Sequence, residues 1–242
     1  MKAVKSNPFT PLRYRSVRLL WGAAVISDIG TWVQLIVVGS LVAAHTGSAV
    51  QTGLVALATF MPQGISSPVG GLLADRFDRR KVFARALMLQ AFFTAVLAVV
   101  LAVGVRAPGV LTVIILLGSA AGSLGAPSYS AMQPDLVPPD ELMAMVSLGV
   151  YSWNGGRIIG PMLGTVLSLT IGAAGTVAFN AFSFVVMAVA VVVAVMRGIA
   201  TGTVACDVIA LGGHFTGAHD GGDRFAGEGA ATVVGLTDED GL

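Results

Sequence analysis

Asp28 and Arg157 are ionisable residues set inside long apolar stretches, and Thr31, Gln34, Gln63, Tyr151 and Asn154 share those stretches. A charge held in hydrocarbon costs several kcal/mol, so residues of this type there require a partner or a function. A carboxylate facing a guanidinium can answer to a proton, answer to a charged solute, or lock two helices together. Intervals of three and four put the polar residues on single helix faces: Ser27, Thr31 and Gln34; Thr52, Thr59, Gln63 and Ser66; Ser147, Tyr151 and Asn154. Such faces either line a water-filled path or hydrogen-bond one helix to the next. Trp32 and Trp153 beside them would form an apolar wall for a greasy solute, whereas Trp21 reads as an interfacial anchor.

The elements that must position these residues follow from hydropathy. The chain of 242 residues is 55% hydrophobic and 11% charged, with a mean hydropathy of +0.84, far from the composition of a soluble domain. A bilayer core of about 30 Å takes roughly 20 apolar residues as a helix, and every amide inside it must be bonded within that helix. Six stretches qualify: Leu19 to Ala43, Val50 to Leu73, Val82 to Val105, Val110 to Ser130, Met143 to Thr170 and Ala173 to Met196. Each is apolar all round rather than along one stripe, and none alternates as a barrel strand does. The expected fold is an all-α membrane bundle of six spans over residues 19–197, preceded by a basic segment over residues 1–18.

Positive charge orients the bundle. Lys2, Lys5, Arg13, Arg15, Arg18, Arg76, Arg79, Arg80, Lys81, Arg85 and Arg197 fall on one side of the six spans, and Arg106 falls on the other. The basic side is expected to be cytoplasmic, which puts both termini in the cytoplasm. Asp28 would then lie about 14 Å into span one and Arg157 about 21 Å into span five, a difference an arginine side chain can bridge. An ion pair between them is expected.

The loop between spans two and three reads GGLLADRFDRRKV. It resembles the signature loop of the major facilitator superfamily, with Gly71, Asp75, Arg76, Arg79 and Arg80 on the matching positions and Asp78 where a second glycine is usual. SDIGTWVQ, APSYSAMQPDLVP and NGGRIIGPMLG extend the likeness toward the enterobactin-exporter-like branch of drug and siderophore exporters. Within the last of these, Gly156, Gly160, Pro161 and Gly164 are similar to an exporter-type helix motif, although Thr165 stands where a further glycine is common. The resemblance covers about Asn7 to Arg197, one half of a two-half fold. It implies secondary active, proton-driven efflux of a small amphipathic compound across a bacterial inner membrane. Span four lacks the arginine that many proton-coupled members carry, so that residue's role does not transfer. Asp75 would face a helix terminus of the other half. A second six-helix half or a homodimer would supply that surface; without one, the chain would be a truncated, non-transporting half.

Other functions find no support in the residues. One cysteine, Cys206, permits no internal disulfide, and His45, His214 and His219 have no metal-ligand spacing. No phosphate-cradling glycine loop, dinucleotide turn, zinc signature or nucleophile elbow is present, so neither an enzyme nor a bound cofactor is expected. Basic residues form no face for nucleic acid.

Charge divides the chain. Residues 1–200 hold thirteen Lys and Arg against six acids, whereas residues 201–242 hold one, Arg224, against seven. The Gly- and acid-rich stretch 198–242 reads as a disordered tail. It fits an acidic regulatory segment, a linker to a separately encoded half, or sequence entered after a frame change, and the abrupt shift in composition favours the last.

Overall fold

Prolines at helix starts, left-handed glycines and one aspartate cap divide the chain into helices in the computed structural model, which describes residues 7–65 and 67–200, the side chains of residues 67 and 195–200 excepted. After a short 3-10 turn, Thr10–Arg13, helix α1 runs Arg15–Thr46. It stops at Gly47, whose φ of 62° only a residue without a Cβ adopts at no steric cost, and whose N–H bonds Ala43 O at 2.9 Å. The second expected span is shared by α2, Ala49–Ile65, and α3, Ser67–Arg76. Asp78 caps α4, Arg79–Ala102, by accepting from Arg80 N at 3.0 Å. Helix α4 ends three residues short of the expected Val105, where Gly104 takes φ 84°.

Helix α5, Pro108–Ser123, passes into α6, Ala126–Met132, through a tightened turn in which Gly125 N bonds Gly122 O at 3.0 Å. Pro127 has no amide to give to Ser123, so the α-helical ladder lapses at this point. Two 3-10 turns, Gln133–Asp135 and Pro139–Glu141, lead into α7, Leu142–Ala200. Among the described residues there is no strand. Among the described residues, four helical stretches are long and apolar enough to cross a membrane: Arg15–Thr46, Arg79–Ala102, Pro108–Asp135 and Pro139–Ala194.

Helix α7 reverses direction. Were its 59 residues straight, they would span about 88 Å. Trp21 Nε1 nevertheless donates to Leu148 O at 2.8 Å, and Ser16 Oγ lies 3.5 Å from Ala194 O, so five residues of α1 meet two ends of α7 that are 46 residues apart. The fold-back is at Gly172, with φ 72° and ψ 173°, a region open essentially to glycine alone. The arm before Gly172 runs parallel to α1, since Leu148, Gly156 and Gly164 meet Trp21, Asp28 and Val33 in turn. The arm after it runs antiparallel, with Asn180 beside Gln34 and Ala194 beside Ser16.

Three apolar clusters surround α1. Leu20 and Ala23 pack with Phe83, Leu87, Met132, Phe184 and Met187; Val38 and Val42 pack with Val55, Leu97, Leu111 and Val177; Val17 packs with Val137, Met145 and Leu148. Lipid tails are as apolar as these side chains, so close packing rather than escape from water holds such helices together.

The first and third clusters lie toward the end that carries the charged turns. There Arg13 Nη2 is 2.5 Å from Oε1 of buried Glu141, and Arg79 Nη1 donates to Ala131 O at 3.1 Å. The Tyr14 hydroxyl, 2.6 Å from Arg13 Nη2, holds the Arg13 pKa above its ordinary value, and the Glu141 charge adds to the effect.

Candidate functional site

The signature-loop residues divide between packing and display. A Cβ on Gly70 would come within 2.8 Å of Leu124 O and 3.0 Å of Pro127 Cγ, so α3 lies against the α5–α6 junction through that glycine. Gly71 faces open space. Asp75 and Arg76 are exposed, and neither joins an ion pair among the described residues. Arg79 ties the loop to the end of α6, and Arg80 contributes its backbone N–H to the Asp78 cap. The departure from the signature at Asp78 therefore has a local cause: an aspartate in place of glycine gives α4 its first hydrogen bond.

Gly156, Gly160 and Gly164 form one ridge of α7, four residues apart, and meet α1 at backbone distance. Their Cβ positions would lie 3.0 Å from Asp28 C, 2.5 Å from Trp32 Cβ and 3.5 Å from Val33 Cα. All three are buried, while Pro161 is half-buried beside them. A larger residue at the first two positions would push the helices apart.

Asp28 does not pair with Arg157. Ser152 Oγ donates to Asp28 Oδ2, and Arg157 instead places its guanidinium carbon 5.7 Å from the centre of the Trp32 ring. The two residues do lie at similar depth, because Gly156 meets Asp28 directly. Rotation decides the matter: each helical residue turns about 100°, so Ser152 and Gly156 face α1 while Arg157 is swung to its side.

Most of the polar residues anticipated on these faces are satisfied within their own helix. Thr31 Oγ1 donates to Ser27 O, Thr59 Oγ1 to Val55 O, Ser147 Oγ to Met143 O and Asn154 Nδ2 to Val150 O, at 2.9 to 3.0 Å. Gln34 does cross between elements, accepting from Asn180 Nδ2 at 2.8 Å. Asn180 and Ser183 are buried and bond each other, and Gly30 is required beside them because a Cβ there would collide with Asn180 Oδ1. Trp21 is not a free interfacial ring, since its indole N–H is held by Leu148 O.

The side of α7 turned away from α1 is uncovered, and its polar residues are interleaved with exposed Val150, Ile158, Met162 and Leu169. Tyr151, Asn154, Arg157 and Thr165 are all exposed, at intervals of three, three and eight, and Gln63 is exposed on α2. Tyr151 stacks on Phe9 with ring centroids 5.8 Å apart. Beside this stripe Trp32, Phe60 and Trp153 form an aromatic trio, with centroids 5.4 to 6.4 Å apart. Phe60, Ser152 and Asn180 were not singled out by sequence. A polar residue within an apolar span was the available signal for the last two.

The pattern of the transmembrane secretion effector family matches residues 6–226. The chain belongs to that family, within the major facilitator superfamily. The chain is 28% identical over 176 residues to the MFS-type transporter YfiS of Bacillus subtilis, covering 72% of this chain and 41% of YfiS. The multidrug efflux pump Tap of Mycolicibacterium fortuitum is 27% identical over 185 residues, 74% of this chain and 45% of Tap. The enterobactin exporter EntS of Citrobacter koseri is 36% identical over 134 residues, 53% of this chain and 31% of EntS. The chain thus spans less than half the length of these curated relatives. No solved structure gives a significant match. Family and apolar helices together make this major facilitator a multi-pass membrane protein.

Proposed function

We propose that the chain is one wall of an efflux path: the amino-terminal, six-crossing half of a major facilitator in the plasma (inner) membrane, with both termini cytoplasmic. The six crossings are α1; α2 with α3; α4; α5 with α6; and the two arms of α7. The observation that carries the reading is the open polar stripe of α7. A guanidinium facing hydrocarbon costs about 3 kcal/mol on insertion scales and more by other measures, so Arg157 and its neighbours belong against water or protein. Alternating access then needs a facing wall, supplied by a second six-helix half or a second copy, against which this bundle rocks.

By kinship with Tap and EntS, whose names state multidrug efflux and enterobactin export, the cargo is a small amphipathic compound and the drive a proton gradient. Thr31, Gln34, Gln63, Tyr151, Asn154 and Arg157 border the path, and Asp28 positions α7 on α1 through Ser152. Orientation rests on the Lys and Arg asymmetry, which puts the Arg13, Arg79 and Glu141 end inside.

Single cysteines at Asn154 and Val192, in a Cys206→Ser background in native vesicles, test the reading. A membrane-impermeant thiol reagent is expected to label position 154 at least tenfold faster than position 192. Equal, slow labelling would place the stripe in lipid and overturn the proposal. Flux of a fluorescent drug into proteoliposomes that collapses with a proton ionophore would establish the drive, and flux that persists would remove it.

A further inference from the structure

Resting on the reading of α7's open side as a path wall, the geometry points to the class of cargo: a compound with a flat apolar body and an anionic or acceptor-rich head, the body on the Trp32–Phe60–Trp153 trio and the head on Arg157.

Charge is the first argument. Arg157 and Asp28 are the two formally charged residues well inside the helical stretches. Asp28 is half-buried and its carboxylate is engaged by Ser152, whereas Arg157 is exposed and joins no ion pair or hydrogen bond among the described residues. The charge offered to the open side at this depth is therefore positive. A guanidinium carries five N–H donors and no acceptor, in a planar fork that matches carboxylate, sulfonate or phenolate oxygens. A cationic compound would meet it with repulsion.

Shape is the second argument. Trp153 and Arg157 are four residues apart and so lie on one side of α7, and Trp32 of α1 touches both, at 5.4 Å ring to ring and 5.7 Å from ring to guanidinium carbon. Phe60 of α2 closes the trio at 5.6 Å from Trp32. Three elements thus converge on one aromatic patch with a cation at its edge. Stacking on Trp32 also fixes where the guanidinium rests, so less freedom is lost when an anion binds.

An orphan donor is the third argument. Trp32 Nε1 is buried with no hydrogen-bond partner among the described residues. An indole N–H kept from water is costly unless an acceptor reaches it. A ligand with an acceptor beside its aromatic body would satisfy it.

The test uses the full chain with Trp21→Phe, in nanodiscs of phosphatidylcholine, with quenching of Trp32 and Trp153 fluorescence as the readout. The probes are 4-nitrobenzenesulfonate and 4-nitrobenzylammonium, similar in body and opposite in charge. The sulfonate is expected to bind at least tenfold more tightly. Arg157→Gln is expected to erase that preference, Arg157→Lys to retain most of it, and Trp32→Phe to weaken both probes, with helicity unchanged in each. Equal affinities, or a preference that survives Arg157→Gln, would overturn the inference. Binding is read here without transport: a sulfonate preference alongside slow labelling at position 154 would sink the path and leave the site, and the reverse would sink the site alone.

Discussion

On one side of α7, Gly156, Gly160 and Gly164 meet α1 at backbone distance; about 100° further round, Tyr151, Asn154, Arg157 and Thr165 are exposed. Both sets come from one short stretch, and part of each lies within NGGRIIGPMLG. On the glycine side, the absence of side chains is what matters, because it lets two helices approach. On the other side, polar side chains stand among exposed Ile158 and Met162, where lipid alone would favour apolar ones throughout. A single motif therefore combines a joint with a working surface, and substitutions on the two sides should fail in different ways.

The largest contrast is expected from Gly160→Leu against Asn154→Leu. The first forces a side chain onto Trp32 and should destabilise the bundle by about 3 kcal/mol, at the upper end for an overpacked core, read as loss of helicity in a denaturant titration. The second should stay within about 0.5 kcal/mol. Equal destabilisation would dissolve the distinction. Next, Ser152→Ala leaves the Asp28 carboxylate without its donor and should cost about 2 kcal/mol. In an Asp28→Asn background the same change should cost less, a coupling that a double-mutant cycle measures.

Away from α7, Asp78→Ala should cost about 1 kcal/mol through loss of the α4 cap, and Asp78→Gly, which restores the family's usual residue, only a few tenths. Smallest in stability and large in function, Arg157→Gln should leave the unfolding midpoint unchanged within error while lowering efflux at least tenfold. A parallel loss of stability would move Arg157 to the structural side of the comparison.

Hydropathy placed the expected stretches largely on helix, with the third overrunning α4 by three residues and the fourth crossing the α5–α6 junction, because bilayer length and backbone satisfaction leave little choice. Its spans ending at Thr170 and beginning at Ala173 bracket the fold-back at Gly172, whereas the end of α4 at Ala102 was not legible, since apolar character continues to Val105. The signature loop and the glycine ridge were legible as motifs. Their contacts were legible only in part: of the adjacent Gly70 and Gly71, both of which permit a close approach, Gly70 alone makes one, and Asp28 finds Ser152 rather than Arg157. Depth along a helix follows from counting, but rotational facing depends on which neighbour the helix packs against. Asp78 was readable as an N-cap from its place before Arg79, and the likeness to a family pattern drew notice to the glycine it replaces. The tail from 198 lies outside the described residues beyond 200.

Helix α1 finds its long-range polar contacts far down the chain: Leu148 for Trp21, Ser152 for Asp28, Asn180 for Gln34 and Ala194 for Ser16. At a synthesis rate of about 5–20 residues per second, those partners emerge roughly 6 to 35 s after α1 does. Throughout that interval the first helix made carries an unmatched carboxylate and an unmatched glutamine amide. These groups must be sheltered, by the insertion machinery or by water, until α7 arrives.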